Sequence, residues 1–434
     1  ALQRMQNAEL GMRNERDFIQ KYVDAMSAKW QMTWDELGFS HDDFIRTTEA
    51  RHVRGVEKFW KIVYATGDIY KGKYVGLYCT GCEAYVVESD LVDGKCPLHK
   101  KAPKQLEEEN YFFRASKYKQ KILDHIAAHP EFVQPIARRN EIVQYIDHHF
   151  GDFSISRQAL SWGIPVPGDP KQVLYVWFDA LINYLTAIGY GTDDAKYKKF
   201  WPADVHLVGK DIIKFHCALW PAMLLSAGVE LPKQVFAHGF FTIDGQKISK
   251  SLGNAIDPVA LVKKYSVDAV RYFLLREIPF GEDGDFSLTR LGERYNADLA
   301  NGVGNLTARV VTLATKMQNA ECRMQNVLTD RVVETWSIYE KAINEFRFHD
   351  ALTAVWDFIK TCDGYIEEKK PWTLKGKEAE EVITPLLESL RHIAWWLWPV
   401  MPQTAERIFT QLGILEDAKK QSGLNETDFL KKKR

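Results

Sequence analysis

The 434 residues predict an α/β domain built on a parallel sheet, interrupted by a small insertion and followed by an all-α helix bundle. Two stretches carry that class. Between Val205 and Phe241 the chain runs through an apolar strand (Val205-His206-Leu207-Val208), a turn (Gly209-Lys210-Asp211), a helical pattern from Ile212 to Ala227, and a buried strand from Gln234 to Phe241. That is the rhythm of a βαβ unit. From about Leu288 strand signals thin out and long helical patterns take over, so the remainder reads as a bundle. The length suits two or three domains, each with its own core.

Composition narrows the class. Hydrophobic residues at 46% and charged residues at 26% are ordinary for a globular protein, and a net charge of -1 excludes wholesale coating of nucleic acid. RNA would have to be met through local patches. The longest dense apolar run, Ile393 to Met401, is too short to span a bilayer, and the first residues carry no signal-peptide pattern. A soluble, cytoplasmic protein with no membrane partner is expected.

In chain order, Ile19, Val23, Met26, Trp30, Trp34 and Leu37 fall three or four apart and predict a helix from Arg16 to Leu37 with one buried face. A second helix is predicted over Arg51 to Ala65, closed by Gly67, and Ile69 to Val75 reads as short strands around a turn. Next come Cys79-x2-Cys82 and, thirteen residues on, Cys96-x2-His99. Two tight pairs supply four ligands for one tetrahedral ion and leave no open coordination position, which predicts a structural Zn2+. A redox role for the first pair would leave the second unexplained. Helices are predicted over Ser116 to Ala128 and around Asn140 to Ile146, and the glycines and prolines from Asp152 to Pro167 read as a loop-rich return to the sheet.

The densest chemistry lies at Lys247-Ile248-Ser249-Lys250-Ser251-Leu252-Gly253-Asn254. Two lysines and two serines crowd a glycine-bearing loop between a strand and a helix, with Asp257-Pro258 as N-cap and first helical position of a helix running to about Arg276. Such a loop suits a polyphosphate, because lysine ammonium groups can neutralise charge developing on phosphate oxygens. Both this loop and the turn at Gly209 are placed at carboxyl ends of strands, where ligands of open parallel sheets bind. In the bundle, the Trp395, Trp396 and Trp398 cluster is expected in the core.

The lysine loop resembles the second signature of the class I aminoacyl-tRNA synthetases. Phe44-Ile45-Arg46-Thr47-Thr48, the cysteine knuckle, Glu108-Glu109-Asn110-Tyr111-Phe112, Ser154-Ile155-Ser156-Arg157 and Tyr175-Val176-Trp177-Phe178-Asp179-Ala180 are similar to motifs of the methionyl family in particular. The resemblance implies a Rossmann-like catalytic domain in residues 1–67 and 150–287, a connective insertion with the zinc knuckle in 68–149, and an anticodon-binding helix bundle in 288–434. It implies activation of L-methionine by ATP with Mg2+, and transfer to tRNA(Met). By the same similarity, Lys247, Ser249, Lys250 and Ser251 would bind ATP, with Lys247 and Lys250 on the leaving pyrophosphate. Arg157 would stabilise charge near the substrate carboxylate or the adenylate. Trp177, Ala180, Tyr184, Ile212, Phe215, His216 and Trp220 would line the methionine pocket, and Asn305, Arg309 and Trp372 would read the anticodon.

The family's first signature, His-x-Gly-His, does not occur among the twelve histidines. The sequence is therefore expected to begin after that signature, which would supply the helix N-terminus facing the phosphates. A monomer is expected. Two other readings stand beside this one. The first is a different class I synthetase of the leucyl, valyl or isoleucyl kind, against which the absence of a large insertion between the motif blocks argues. The second is a non-catalytic tRNA-binding synthetase fragment, which the intact lysine loop and pocket oppose.

Overall fold

The structure is a computed structural model that describes residues 15–79, 84–86, 88, 91–96, 100–158, 162–243, 245–248, 256–315 and 327–422. They form two compact units, one of residues up to Ser27 with His41–His238, the other of Ala28–Ser40 with residues from Gly239 onward.

The first unit is assembled on the helix Ala50–Ala65. Val56, Phe59, Trp60 and Val63 recur three and four apart, and all are buried, as an amphipathic helix requires. Phe178 meets Phe59 and Trp60 edge-on with ring centroids 6.2 and 5.7 Å away, and Trp220 stacks on Phe59 at 6.2 Å. Each such buried aromatic contributes roughly 1.5 to 3 kcal/mol through the area it removes from water. Past the helix, Gly67 turns the chain at φ +75, as the sequence predicts.

Beyond that turn, Asp68 is 1% exposed and accepts from Lys117 Nζ at 2.6 Å, from Ser226 Oγ at 2.7 Å and from the Tyr118 hydroxyl. Burial pushes its carboxyl up, but the bonds from Lys117, Tyr118 and Ser226 outweigh it and hold the group below the usual carboxylate range. One buried anion thus ties three segments together.

Val235–His238 is the centre of a parallel sheet, flanked by His206–Gly209 on one side and Val133–Gln134 on the other. The last of these strands carries no sequence signal. The predicted helix from Ile212 to Ala227 is a composite: a 3-10 turn Lys210–Ile212, a π-helical turn Phe215–Leu219, and an α-helix Trp220–Ala227 closed by Gly228 at φ 67. The predicted strand Gln234 to Phe241 ends early, at His238, and a separate strand, Phe241–Ile243, follows. At Gly239 a side chain would lie 2.1 Å from the Glu282 carbonyl, and the Phe240 N–H donates to Asp283 Oδ1 at 2.7 Å. Close backbone approach, not sheet pairing, governs that position.

Three further expectations are corrected. Residues 69 to 75 are not short strands around a turn but part of one strand, Ile69–Cys79, paired in antiparallel register with Lys104–Phe113. Gly72 lies opposite Asn110, where a Cβ would meet the Phe112 ring at 3.3 Å, so the glycine marks a close approach and not a turn. The stretch from Asp152 to Pro167 contains short ladders: Phe153–Ser154 extends the antiparallel sheet, while Ser156–Arg157 and Pro165–Val166 flank Asp169–Leu174. Finally, the helix Glu15–Glu36 forms, but its apolar stripe is not buried as a whole. None of Ile19, Val23, Met26, Trp30, Trp34 and Leu37 is fully buried, and Trp30 is 56% exposed.

In the second unit, Phe241–Ile243 pairs with Gln246–Lys247 and with Gly284–Phe286. Asp257 caps the helix Pro258–Tyr265, its Oδ1 accepting the Val259 N–H at 3.0 Å, as predicted. The predicted continuous helix to Arg276 breaks at Ser266, which adopts φ 81 and caps a new helix, Val267–Arg276, by accepting from Ala269 N. The helices from Leu288–Arg294 to Leu415–Gln421 pack around a core in which Trp396 is fully buried beside Trp336 and Phe358, at 5.3 and 5.2 Å, and Tyr272 stacks on Trp356 at 4.4 Å. Among the described residues no helix is long and apolar enough to cross a membrane.

Gly55 offers a direct test of the first unit's packing. A Cβ there would lie 2.2 Å from Thr186 Cγ2 and 3.0 Å from the Tyr190 carbonyl oxygen. Gly55→Ala is expected to destabilise the unit by about 1 to 3 kcal/mol through overpacking, read as a lower urea midpoint with an unchanged slope.

Candidate functional site

The candidate site lies in the first unit, beside the carboxyl end of the strand His206–Gly209, and two segments build it. The helix Val176–Leu181 and the short helix Asn183–Thr186 carry Trp177, Ala180 and Tyr184; the 3-10 and π-helical turns after the strand carry Ile212, Phe215 and His216. The Trp177 and Phe215 rings stack 3.9 Å apart at an interplanar angle of 9°, and both side chains are half-buried. They form one flat aromatic wall.

His216 is 2% exposed, and its two ring nitrogens have different partners. Nδ1 lies 3.0 Å from the Ile212 carbonyl and Nε2 lies 2.8 Å from the Tyr184 hydroxyl. A carbonyl only accepts, so Nδ1 carries the proton and Nε2 of the neutral ring accepts from Tyr184. Burial pushes the imidazole below its ordinary value, with the Ile212 carbonyl opposing that shift in part. The same burial pushes the Tyr184 phenol up to about 12.

Behind Tyr184 stands His206, whose ring packs 4.1 Å from the phenol ring and whose Nε2 accepts the Trp220 indole N–H at 3.3 Å. Burial and the neighbouring His216 push His206 down to about 3. Trp220 itself is fully buried. At neutral pH the two histidines and the tyrosine of this pocket are therefore uncharged, and His216, Tyr184 and Trp220 are already hydrogen-bonded. Such a lining suits an apolar, polarisable ligand chain with at most weak acceptor character.

Arg157 Nη1 donates to the Ser156 carbonyl at 2.7 Å and to Ser154 Oγ at 3.0 Å, and its guanidinium lies 4.1 Å from the centre of the Tyr175 ring. Three buried groups in or beside the pocket segments were not among the sequence candidates: His206, Asp179 and His52. His52 Nε2 is 2.7 Å from Asp179 Oδ1 and its Nδ1 is 2.8 Å from Thr186 Oγ1. The available signal was a histidine standing on the apolar stripe of the helix Ala50–Ala65.

In the second unit Lys247 ends the strand Gln246–Lys247. The hairpin is held by Asp285 Oδ1, which accepts from the Gly245 N–H at 2.8 Å and the Thr242 hydroxyl at 2.7 Å. The Lys247 side chain and Ser249, Lys250 and Ser251 lie outside the described residues. On the helix Asn305–Ala314, Asn305 is exposed and Arg309 pairs with Asp363 at 3.4 Å and Glu367 at 2.5 Å. Both acids belong to the helix Phe348–Lys369, and Trp372 follows directly in the turn Pro371–Thr373, 51% exposed. Of the four predicted metal ligands, Cys79 and Cys96 are buried, and Cys82 and His99 lie outside the described residues. Among the described residues no group of three or more metal-binding side chains occurs.

Comparison with known proteins agrees with this architecture. Residues 6–102 and 82–311 match the family described as tRNA synthetases class I (M), and residues 326–432 match the anticodon-binding domain of tRNA ligases. The class is thus that of a class I tRNA synthetase whose catalytic part is followed by a helical anticodon-binding domain. The methionine–tRNA ligase of Caldanaerobacter subterraneus subsp. tengcongensis is 46% identical over 410 residues, 92% of this chain and 64% of the relative. That of Thermosynechococcus vestitus is 43% identical over 91% of this chain and 78% of its own. The structure resembles Mycobacterium tuberculosis methionyl-tRNA synthetase in complex with methionyl-adenylate, with a TM-score of 0.81 at 39% identity, covering 88% of this chain and 78% of that one. The chain belongs to the methionyl-tRNA synthetase family. It spans 64% of the Caldanaerobacter relative and 66% of the Thermotoga maritima one.

The pocket histidines give a pH signature. An ordinary imidazole charges near pH 6.5, whereas burial lowers both His206 and His216. Ring carbon resonances of His206, assigned by its substitution, are expected to stay unmoved from neutral pH to below about pH 5, and those of His216 to shift only below the ordinary histidine range.

Proposed function

We propose that this chain acts as a methionine–tRNA ligase: it activates L-methionine with ATP to methionyl-adenylate and transfers the methionyl group to tRNA(Met). The observation that carries the reading is the neutral aromatic pocket in which Tyr184 donates to His216 beside the stacked Trp177 and Phe215 rings. A thioether is polarisable, prefers aromatic edges and accepts only weak hydrogen bonds. A lining of uncharged, mostly aromatic side chains favours it over the charged amino acids.

In the first step the methionine carboxylate attacks the α-phosphate and pyrophosphate leaves, so the protein's share is positioning and charge stabilisation. We assign Lys247 and Lys250, with Ser249 and Ser251, to the ATP phosphates, and Arg157 to the carboxylate or adenylate. Mg2+ bound with ATP would supply further neutralisation of the phosphate oxygens. In the second step a terminal ribose hydroxyl of tRNA attacks the adenylate carbonyl. Asn305, Arg309 and Trp372 suit the reading of unstacked anticodon bases, by edge hydrogen bonds and by stacking. We place the catalytic domain in residues 1–67 and 150–287, its insertion in 68–149 and the anticodon-binding bundle in 288–434.

Methionine-dependent ATP–pyrophosphate exchange tests the assignment. Exchange by the chain that is lost when Lys247 and Lys250 are both replaced by alanine is expected. Binding of tRNA(Met) without exchange would instead identify a non-catalytic tRNA-binding protein, and exchange driven by leucine, valine or isoleucine would sink the methionine assignment.

We further propose a structural Zn2+ held by Cys79, Cys82, Cys96 and His99. Two features fit such a site. Cys79 pairs with Ala84 in an antiparallel ladder, and the Lys100 N–H donates to the Cys96 carbonyl at 2.7 Å. Bound to those ligands, the ion would tie the two ligand pairs together. Elemental analysis of purified chain is expected to find about one zinc per molecule, in keeping with a single tetrahedral site, and a lower content in Cys96→Ser. Zinc-free chain with an unaltered melting temperature would exclude it.

A further inference from the structure

The pocket wall is fastened from behind by a polar clamp. Trp177, Ala180 and Tyr184 sit on one continuous strip, the helices Val176–Leu181 and Asn183–Thr186. The strip's back is covered by the helix Ala50–Ala65, through apolar contacts of Phe59 and Trp60 with Phe178. Apolar contacts of this kind hold distance but leave sliding and rotation cheap, since dispersion carries little direction. Direction comes from His52. It is fully buried, one ring nitrogen lies 2.7 Å from Asp179 Oδ1, and the other lies 2.8 Å from Thr186 Oγ1. Asp179 stands between Trp177 and Ala180, and Thr186 stands two residues after Tyr184. A single planar ring therefore spans both ends of the segment that presents the pocket residues.

The surroundings leave the ring little room. Close to it in sequence, Gly55 lets Thr186 approach so tightly that a Cβ would lie 2.2 Å from its methyl group. Thr186 is 1% exposed and Asp179 9%, so bulk water has little access to either bond. A buried hydrogen bond that is lost leaves its partner unsatisfied and lets the partner's backbone shift to find another.

We propose that His52 is a positioning residue for the amino-acid pocket, setting the orientation of Trp177, Ala180 and Tyr184 through Asp179 and Thr186. It would act on recognition of the amino-acid side chain and not on the nucleotide. The inference rests on the assignment of this pocket to methionine for its functional consequence, but its structural content can be read without any ligand.

The experiment uses the full chain labelled with 5-fluorotryptophan, the Trp177 resonance being identified by its loss in Trp177→Phe. In His52→Ala the Trp177 signal is expected to move or broaden while that of Trp396, in the other unit's core, stays in place. L-methionine affinity, measured by calorimetry, is expected to fall about tenfold or more, the scale on which loosening a supporting side chain acts. His52→Gln, which can still reach a carboxylate and a hydroxyl, should recover part of both. Should His52→Ala not fold, Asp179→Asn and Thr186→Val each remove one end of the clamp and are read in the same way. A Trp177 signal and a methionine affinity both unchanged in the variants would overturn the proposal. Failure of the parent chain to bind methionine would refute the functional assignment instead, and the Trp177 signal would still decide whether His52 positions the wall.

Discussion

The carbonyl of Ile212 receives the Nδ1 proton of His216, and that one bond sets the polarity of everything around it. With the proton fixed on Nδ1, the other ring nitrogen faces Tyr184 as an acceptor, so the phenol must donate. Burial prevents the alternative in which the ring carries two protons. Tyr184 in turn lies against His206, which is neutral for the same reason and is held by Trp220. The result is a pocket without net charge although two histidines and a tyrosine stand in it. Tyr184 and His216 bond to each other and to the Ile212 carbonyl, which favours packing and polarisability as the basis of selection.

Around that pocket the first unit solves a general difficulty, which is to place polar side chains in a core at low cost. Asp68 does so with donors from two other segments, Lys117 with Tyr118 and Ser226, and His52 does so with one carboxylate and one hydroxyl. Each of these buried groups joins elements that are far apart in sequence. Satisfied in this way they specify one arrangement of the helices, where apolar contacts alone would allow several. In the second unit a half-buried carboxylate, Asp285, bonds a backbone N–H and a hydroxyl at the lysine hairpin.

Much of this was legible in the sequence. The helix Ala50–Ala65, the parallel strands at His206–Gly209 and Val235–His238, the cap at Asp257 and the buried tryptophan cluster all follow from periodicity and local residue chemistry. The failures lie where a distant partner or a local break in the backbone, not periodicity, decided the conformation. Gly72 looked like a turn and is a strand residue because ten residues of a distant strand pair across it. Ser266 interrupts a helical pattern by adopting a positive φ that no neighbouring residue type announces. In the pocket, residues with an obvious chemical role were visible, but His52, Asp179 and His206 were not, because a side chain that works by holding another leaves no motif of its own.

The π-helical turn Phe215–Leu219 limits how this pocket can change over evolutionary time. Such a turn accommodates one more residue than regular helix would, and it often marks a site under functional constraint. Deleting a single residue within it would restore ordinary helical winding and rotate the preceding positions by about 100° relative to the following ones. Side chains before the turn, such as Ile212, would then face differently from those after it, such as Trp220. Lineages carrying this turn can therefore revise the pocket by substitution but not by insertion or deletion, so its length should be more invariant than its composition.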